Sequence, residues 1–307
     1  MVGMRQDTAR RTDATSAESY ESLRPYLFAV AYRMTGAASD AEDLVQDAWM
    51  RYLDAGSPPV RSLRAYLTTI VSRLTLDYLK SARVTREQYV GAWLPEPVST
   101  QRAIPGPDAT IEQREAVSIA FLTLLERLTP EQRIVFVLRS GFGLPFAEIG
   151  DHLGRSAAAC RQLFQRAERA LESPSSSTGR SPKGDEWDVA YRFLGAVESG
   201  DLTAVTALLA DGATWIGDGG KDHRAVRRTV HGADKVARGL LGVRWKFSKP
   251  NDTFAIEDLN GGPAIVERRG GVIVRVTALA IEAGRIVSVQ AILNPDKLQH
   301  LAREADR

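Results

Sequence analysis

The chain is poor in cysteine and histidine, and it has no long apolar run. One Cys and four His occur in 307 residues. A single thiol cannot form an internal disulfide, and these residues supply too few ligands for a structural zinc site. The polar N-terminus lacks the apolar core of a signal peptide, and no segment reaches the roughly 20 apolar residues of a membrane-spanning helix. We therefore expect a cytoplasmic protein with no metal, no other cofactor and no membrane partner.

A strong charge of either sign is also absent, because the net charge is only +2. Binding to nucleic acid would therefore depend on local basic clusters and not on the overall charge. The hydrophobic content of 44% and the charged content of 25% are ordinary for a globular protein. The chain is long enough for two or three domains, each with its own core.

Helical patterns and the breaks between them divide the chain. Helical periodicity covers residues 20–86 and again about 111–171. Between these blocks, YVGAWLPEPVSTQRAIPGP (89–107) contains one Trp and four Pro, which predicts an extended and stiff linker. The Ser, Pro and Gly content of residues 172–186 predicts a second, flexible linker.

The pattern changes after Glu186. WDVAYRFLGAVESG and DLTAVTALLADG predict two helices, each ended by a Gly. GVIVRVTALAIEAGRIVSVQAIL is rich in Val and Ile and predicts two strands joined by a short turn. The C-terminal third is therefore predicted to be α+β, behind an all-α front.

Residues 145–171 have the pattern of a helix-turn-helix. Gly154 is placed to end the first helix, and Ser156 is a good N-cap for the second. One face of the second helix is apolar or small, and Arg and Gln occupy the other. Because Arg and Gln can read base edges in the major groove, we expect this polar face to bind DNA. The alternative is an ordinary helical hairpin with a solvated polar face. The polar residues are Arg161, Gln162, Gln165 and Arg169, and the apolar face holds Cys160, Leu163, Phe164, Ala167 and Leu171.

The segment DAEDLVQDAWMRYL (40–53) also predicts a helix with two different faces. Val45, Trp49 and Tyr52 share one face, and acidic residues lie opposite. The acidic face is either solvated or a docking surface for a basic partner, since it would repel phosphates. The helices that follow are basic through Arg61, Arg64, Arg73, Lys80, Arg83 and Arg86.

Several segments together resemble bacterial sigma factors. LRPYLFAVAYRMTGAASDAEDLVQDAWMRYL resembles the part that binds core RNA polymerase, and SLRAYLTTIVSRLTLDYLKSARVTRE the part that opens and reads the minus-ten promoter element. LTPEQRIVFVLRSGFGLPFAEIGDHLGRSAAACRQLFQRAERAL resembles the fourth region, which reads the minus-thirty-five element. The resemblance is to the extracytoplasmic-function (ECF) type. WLPEP in the linker and NPDKL at 294–298 match the group with a fused C-terminal SnoaL-like domain.

The resemblance covers nearly the whole chain from Ser19 and implies its fold and domains. We expect two all-α sigma domains, a helical bundle and a helix-turn-helix, followed by an α+β cone of the SnoaL-like (NTF2-like) type. The implied segments are region 2 at 19–88, the linker with WLPEP at 89–110, region 4 at 111–172, the flexible linker at 173–186 and the SnoaL-like domain at 187–302.

The resemblance also implies partners and binding residues for the sigma domains. The partners are core RNA polymerase and promoter DNA, and no separate anti-sigma factor is expected. The polymerase contacts fall on Asp40, Glu42, Asp43 and Gln46, and the minus-ten contacts on Arg73, Asp77, Lys80 and Arg83. The minus-thirty-five contacts are expected on the polar face of the second helix of the helix-turn-helix.

The fused domain is expected to regulate the sigma domains in cis. The hypothesis is that Trp93 and the two prolines of WLPEP hold the linker against this domain when the protein is off the polymerase. Its pocket could hold a small-molecule effector. The candidate regulatory residues are Trp93, Pro95, Glu96, Asp218, Lys221, Asn294, Asp296 and Lys297.

Two alternatives remain open at this point. One is a helix-turn-helix repressor with a ligand-binding domain, which would not need the acidic face. The other is a SnoaL-like enzyme with a DNA-binding front end, for which Asp211, Asp218, His223 and His231 are the candidate acids and bases. No two of them can be assigned to one pocket from the sequence, so we expect no catalytic residues. GDGGK (217–221) lacks the GxxxxGK[ST] of a phosphate-binding loop and predicts a tight turn.

Overall fold

The computed structural model describes residues 3–58, 60–87, 89, 91–104, 110–171, 183–221, 223 and 225–305. The chain forms two compact units. The helical unit comprises Met1–Thr35, Ser39–Ser81 and Thr129–Glu168, and the sheet unit comprises Gly36–Ala38, Ala82–Leu128 and Arg169–Arg307.

The secondary structure follows the predicted order of an all-α front and an α+β end. The helices are α1 (Gly3–Thr35), α2 (Ala38–Asp54), α3 (Leu63–Glu87), α4 (Thr100–Ala103), α5 (Ile111–Glu115), α6 (Ile119–Leu125), α7 (Pro130–Phe136), α8 (Phe146–Leu153), α9 (Ala157–Leu171), α10 (Lys183–Ser199), α11 (Leu202–Leu208), α12 (Ala233–Phe247) and α13 (Gln299–Ala305). A π-helical turn, Val137–Gly141, extends α7, and a 3₁₀ turn, Pro295–Lys297, precedes α13. The strands are β1 (Leu209–Asp218), β2 (Val230–His231), β3 (Asp252–Leu259), β4 (Gly262–Arg269), β5 (Val272–Glu282) and β6 (Arg285–Ile292).

An aromatic stack joins α1 and α2 in the helical unit. The Trp49 ring lies 4.3 Å from the Tyr20 ring and 5.2 Å from the Tyr52 ring, measured between centroids. Val45 is buried beside them. The apolar face predicted for α2 therefore packs inward, which leaves the acidic side of this helix toward solvent.

The helix-turn-helix α8–α9 packs with the front helices in the same unit. His152 of α8 is buried, and its Nδ1 lies 2.7 Å from Thr69 Oγ1 of α3. The guanidinium of Arg133 donates to the Met34 carbonyl at 2.7 Å, and that of Arg33 donates to the Gly141 carbonyl at 3.0 Å. These hydrogen bonds from charged groups to backbone carbonyls fix the two helical parts against each other.

The turn of the helix-turn-helix has the predicted chemistry. Gly154 adopts φ of +65°, which favours glycine, and ends α8. Ser156 Oγ accepts the Ala159 N–H at 3.1 Å and so caps α9.

The sheet unit is built on one six-stranded sheet in the order β2-β1-β6-β5-β4-β3. All neighbouring strands are antiparallel except β1 and β6, which are parallel. The first core cluster joins α10, α11 and α12 to the sheet through residues such as Phe193, Trp215 and Val236. The predicted α+β domain is therefore present, and the predicted hairpin β5–β6 turns at Ala283 and Gly284, both with positive φ.

The prediction for the second helix of the sheet unit is wrong at the C-terminal end of that helix. DLTAVTALLADG was expected to be helical up to its Gly, but α11 ends at Leu208 and Leu209 begins β1. The β1 strand pairs with β6 through residues 209–218, and its register shifts between Leu209 and Thr214. Pairing with a strand that lies some 70 residues later in the chain outweighs the helical propensity of Leu and Ala, and no local pattern reports such pairing.

Acid is expected to loosen the helical unit at His152. Burial, partly offset by Glu148, lowers the pKa of His152 below its ordinary value of 6.5. The neutral form is therefore favoured in the folded protein, and its contribution to stability is complete above about pH 6.5 and is lost as the pH falls through the lowered pKa. One proton changes the free energy of unfolding by at most about 1.4 kcal/mol per pH unit.

Hydrogen exchange of α8 peptides, corrected for the intrinsic rate, measures this effect between pH 7.5 and pH 5. His152→Gln should remove most of the loss of protection seen on acidification, and His231→Gln at an exposed position should not. Equal acid sensitivity in both variants would contradict the assignment.

Candidate functional site

The Asp218 carboxylate lies at the end of β1 and is fully buried. Its Oδ1 accepts the Tyr89 hydroxyl at 2.6 Å and the Gly220 N–H at 3.0 Å. Its Oδ2 accepts the Leu94 N–H at 2.9 Å and the Lys297 ammonium at 2.7 Å. We call Tyr89, Leu94, Asp218, Asn294 and Lys297 the Asp218 junction. Two of its members belong to the linker, so the linker is bound to the sheet domain.

Lys297 supplies the positive charge of the Asp218 junction. It is buried, donates a second hydrogen bond to the Leu94 carbonyl and lies 4.2 Å from the centre of the Trp93 ring. An ammonium over an indole face is attracted by the ring quadrupole, more strongly when both are desolvated. The predicted anchor residue of WLPEP thus packs on the cation that pairs with Asp218.

The NPDKL motif forms the turn that presents Lys297. Asn294 Oδ1 accepts the Asp296 N–H at 3.1 Å, and Pro295 occupies the first position of the 3₁₀ turn. Asn294 Nδ2 also donates to the Tyr89 hydroxyl at 2.9 Å. Local capping chemistry accounts for this turn, and Asp296 itself is exposed.

The apolar part of WLPEP completes a second core cluster. Leu94 is only 1% exposed and packs with Leu259, Val266, Val276, Ile292, Leu298 and Leu301. Pro95 is buried and Trp93 is half-buried. A Cβ atom on Gly36, where φ is +66°, would lie 2.7 Å from Trp93 Cη2, so only glycine leaves room for the indole.

Glu96 is buried, and both its side chain and its backbone form hydrogen bonds. Its Oε2 accepts the Ala38 N–H at 2.8 Å, and its backbone N–H donates to the Gly36 carbonyl at 2.8 Å. His300 Nδ1 lies 3.7 Å from the same carboxylate, and its Nε2 meets the Pro97 carbonyl. Since a carbonyl oxygen can only accept, Nε2 of His300 carries a proton.

Tyr89 is a member of this site that the sequence analysis missed. Burial, reinforced by the hydrogen bond to Asp218 and its negative charge, raises the pKa of Tyr89 well above its usual value. The hydroxyl therefore stays protonated and able to donate at neutral pH. A lone Tyr before a Pro-rich segment carries no local signal for such a role.

A second contact between the linker and the sheet domain was also missed. Asn260, at the β3–β4 turn, accepts the Val98 N–H at 2.9 Å and donates to the Val117 carbonyl at 2.9 Å. Arg114 pairs with Asp258 at 3.0 Å. The Asn-Gly pair in the sequence signals a hairpin turn, but nothing in it indicates what the turn holds.

Gly261 marks how closely α5 approaches this turn. Its φ is +81°, and a Cβ atom there would lie 2.2 Å from the Arg114 carbonyl oxygen. The described residues at both ends of the stretch from Tyr89 to Val117 therefore contact the sheet domain.

The acidic residues predicted to meet the polymerase lie on α2. Asp43 and Gln46 are exposed, whereas Asp40 and Glu42 are half-buried. The Tyr78 hydroxyl of α3 donates to Asp40 Oδ2, so this carboxylate already has a partner within the helical unit.

The residues predicted for the two promoter elements lie on α3 and α9. Arg73, Asp77 and Lys80 are exposed on α3, and the side chain of Arg83 lies outside the described residues. On α9 the predicted polar face is exposed in full: Arg161, Gln162, Gln165 and Arg169. The opposite face packs inward through Cys160 and Ala167, both fully buried, as the periodicity predicted.

The remaining candidates of the sheet domain are spread over its surface. Lys221, His223 and His231 are exposed, and exposed Asp211 lies 3.7 Å from Arg285. GDGGK forms the predicted tight turn, with φ of +59° at Gly220. Of the candidate acids and bases, the Asp218 junction contains only Asp218.

Two searches of the described part of the chain gave negative results. No group of three or more His, Cys, Asp or Glu side chains there could hold a metal ion. No helix in the same residues is long and apolar enough to cross a membrane.

Comparison with known proteins identifies the class. Residues 19–85 match Sigma-70 region 2, and residues 118–171 match Sigma-70, region 4. The chain is 40% identical over 289 residues, 91% of either protein, to the ECF RNA polymerase sigma factor SigJ of Mycobacterium tuberculosis. It is 34% identical over 294 residues, 95% of this chain and 97% of the relative, to "Probable ECF RNA polymerase sigma factor SigI" of the same organism.

A solved structure agrees over the same length. The crystal structure of M. tuberculosis extracytoplasmic function sigma factor SigJ aligns with a TM-score of 0.71 and 36% sequence identity, covering 92% of this chain and 97% of that one. The chain belongs to the ECF RNA polymerase sigma factors. It is an alternative sigma factor with helical sigma domains followed by an α+β SnoaL-like domain, as the sequence predicted, and the repressor alternative is not favoured.

Removing the cation of the Asp218 junction should free the linker. In Lys297→Met the buried carboxylate keeps only its uncharged donors, and a broken buried ion pair costs about 3–5 kcal/mol. We expect the backbone amides of Leu94 and Val98 to exchange at least tenfold faster, while β4 and β5 keep their protection.

Hydrogen exchange with mass spectrometry measures this in the full chain. Lys235→Met is the matched control, because it removes the same charge from an exposed position on α12, outside the junction. Unchanged exchange around Leu94 in Lys297→Met would contradict the role given to the ion pair.

Proposed function

We propose that this sigma factor is regulated in cis by the docking of its interdomain linker on the SnoaL-like domain. In sigma factors the corresponding segment threads through the polymerase cleft, so a linker bound to its own domain is not available to the polymerase. The observation that carries the proposal is the Asp218 junction, in which two linker residues supply donors to a buried carboxylate. Docking thus represents the resting state, and release of the linker precedes activity.

The geometry of the helical unit supports a resting state in another way. The minus-ten and minus-thirty-five elements lie about 25 base pairs apart, or roughly 85 Å along duplex DNA. Thr69 contacts His152, and even a fully extended chain from His152 to Arg161 spans only about 32 Å. The α3 and α9 faces are therefore too close together to reach both elements, and we propose that the helical unit opens on the polymerase.

The binding residues are part of the proposal. Asp40, Glu42, Asp43 and Gln46 would dock on core polymerase, and Arg73, Asp77, Lys80 and Arg83 would hold the melted minus-ten strand. The exposed polar face of α9 would read the minus-thirty-five element by hydrogen bonds to base edges. The exposure of Asp43 and Gln46 on α2, of Arg73, Asp77 and Lys80 on α3 and of the polar face of α9, together with the family membership of the chain, supports the assignment.

The SnoaL-like domain is proposed to regulate and not to catalyse. Asp218, its one buried candidate acid, accepts from three donors of the junction and from the Gly220 N–H, so it has no free lone pair aimed at a substrate. A built-in regulator makes a separate anti-sigma factor unnecessary. We place the protein in the cytoplasm with the polymerase and assign no small-molecule effector to the SnoaL-like domain.

Run-off transcription with core RNA polymerase on a promoter library tests this function. At a sigma concentration below saturation, Lys297→Met should raise the initial rate of promoter-specific transcription severalfold, because the linker is released more easily. Arg161→Ala should lower promoter-specific transcription at least tenfold without changing core binding, and Asp43→Ala should weaken core binding. Lys235→Met serves as the control. Identical rates from Lys297→Met and wild type would contradict cis regulation.

A further inference from the structure

The C-terminal end of α12 carries the most exposed large aromatic side chain of the described residues. Trp245 is 89% exposed, and Phe247, two positions later, is 43% exposed. An indole is costly to leave in water, because burying an aromatic side chain removes 150–250 Å² of surface. An exposed Trp on a rigid helix therefore calls for an explanation beyond the fold.

The same segment is basic and contains no acidic residue. Its sequence from Arg244 to Lys249 is RWKFSK, with three cations and two aromatic rings in six residues. Lys246 and Lys249 are exposed. We call residues 244–249 the α12 patch. Cations in the last turn of a helix are often explained by the helix dipole, but that explanation does not account for Trp245.

The patch is held in place by neighbouring side chains. Arg269 donates to the Phe247 carbonyl at 3.3 Å, and the Lys249 N–H donates to Asp252 at 2.6 Å. Asp252 is neutralised in turn by Arg269 at 2.7 Å, and this hydrogen bond holds the pKa of Asp252 at about 2. The nearby acid is therefore paired, and the exposed cations of the patch remain in excess.

We infer that the α12 patch binds DNA, with its cations on backbone phosphates and the Trp245 ring stacked on a base or sugar. Cations interleaved with exposed aromatic rings suit this ligand, because phosphates need positive charge and every base offers a π-face. A protein partner of matching charge would have to be acidic, and its carboxylates offer no π-face on which the indole could stack. The inference rests on the proposed function, since the sigma domains bring the chain to a promoter.

The chain itself keeps the patch near DNA. Leu171 ends α9 and Lys183 begins α10, so twelve residue steps separate them. A chain of that length spans at most about 43 Å. When α9 occupies the minus-thirty-five element, the SnoaL-like domain therefore stays within a few turns of duplex of that element.

The salt dependence of promoter binding by the holoenzyme tests the inference. Each phosphate contact contributes about 0.9 to the slope of log K against log salt concentration. Lys246→Ala should reduce that slope by about 0.9, whereas Lys235→Ala, an exposed lysine at the other end of α12, should leave it unchanged. Trp245→Ala should weaken binding about three- to tenfold, and Tyr191→Ala at an exposed site on α10 should not.

Two results would overturn the inference. One is an unchanged slope in Lys246→Ala together with unchanged affinity in Trp245→Ala. The other is protection of Trp245 from iodide quenching by core polymerase without DNA, which would make the ligand a protein. Both leave the sigma function intact if wild type still gives promoter-specific transcripts. The absence of such transcripts from wild type would instead count against the proposed function.

Discussion

The buried ion pair of Asp218 and Lys297 is the constraint on which the rest of the site depends. Taking two charges out of water costs several kcal/mol per ion, and the attraction offsets this only if every remaining lone pair and proton finds a partner. At Asp218 those partners are the Tyr89 hydroxyl and the Leu94 N–H of the linker. The sheet domain therefore does not itself supply all the hydrogen-bond donors that the buried Asp218 carboxylate needs. It needs the linker. The linker in turn is held by several hydrogen bonds that must break together when it is released.

The apolar contacts of the linker also hold it on the sheet domain. Leu94 fills a cluster formed by strands and by the turn that carries Lys297, so undocking would expose both a charge pair and apolar surface. Further along the chain, Asn260 binds the backbone of Val98 and Val117, and Asp258 pairs with Arg114. Under the regulation that we propose, docking on the SnoaL-like domain competes with passage of the same segment through the polymerase.

How far the sequence predicted this arrangement depends on the range of each interaction. The two faces of α9 and the capped NPDKL turn follow from helical periodicity and local capping, so they could be predicted. The Tyr89 contact spans 129 positions and the Asn260 contact 162, and no local pattern encodes such pairing. The start of β1 was missed for the same reason, because a parallel partner strand decided it. WLPEP was recognised only through its resemblance to a sigma group.

The most direct test of the account compares two equilibria, linker opening and binding to core RNA polymerase, in one set of variants. For wild type, Tyr89→Phe, Asp218→Asn and Lys297→Met, the free energy of linker opening is obtained from hydrogen exchange at Leu94, and the free energy of binding to core RNA polymerase from titration. If binding requires release, each kcal/mol lost from docking should appear as a nearly equal gain in polymerase affinity, since linked equilibria share one free energy. A polymerase affinity that stays constant while linker opening varies would contradict the account.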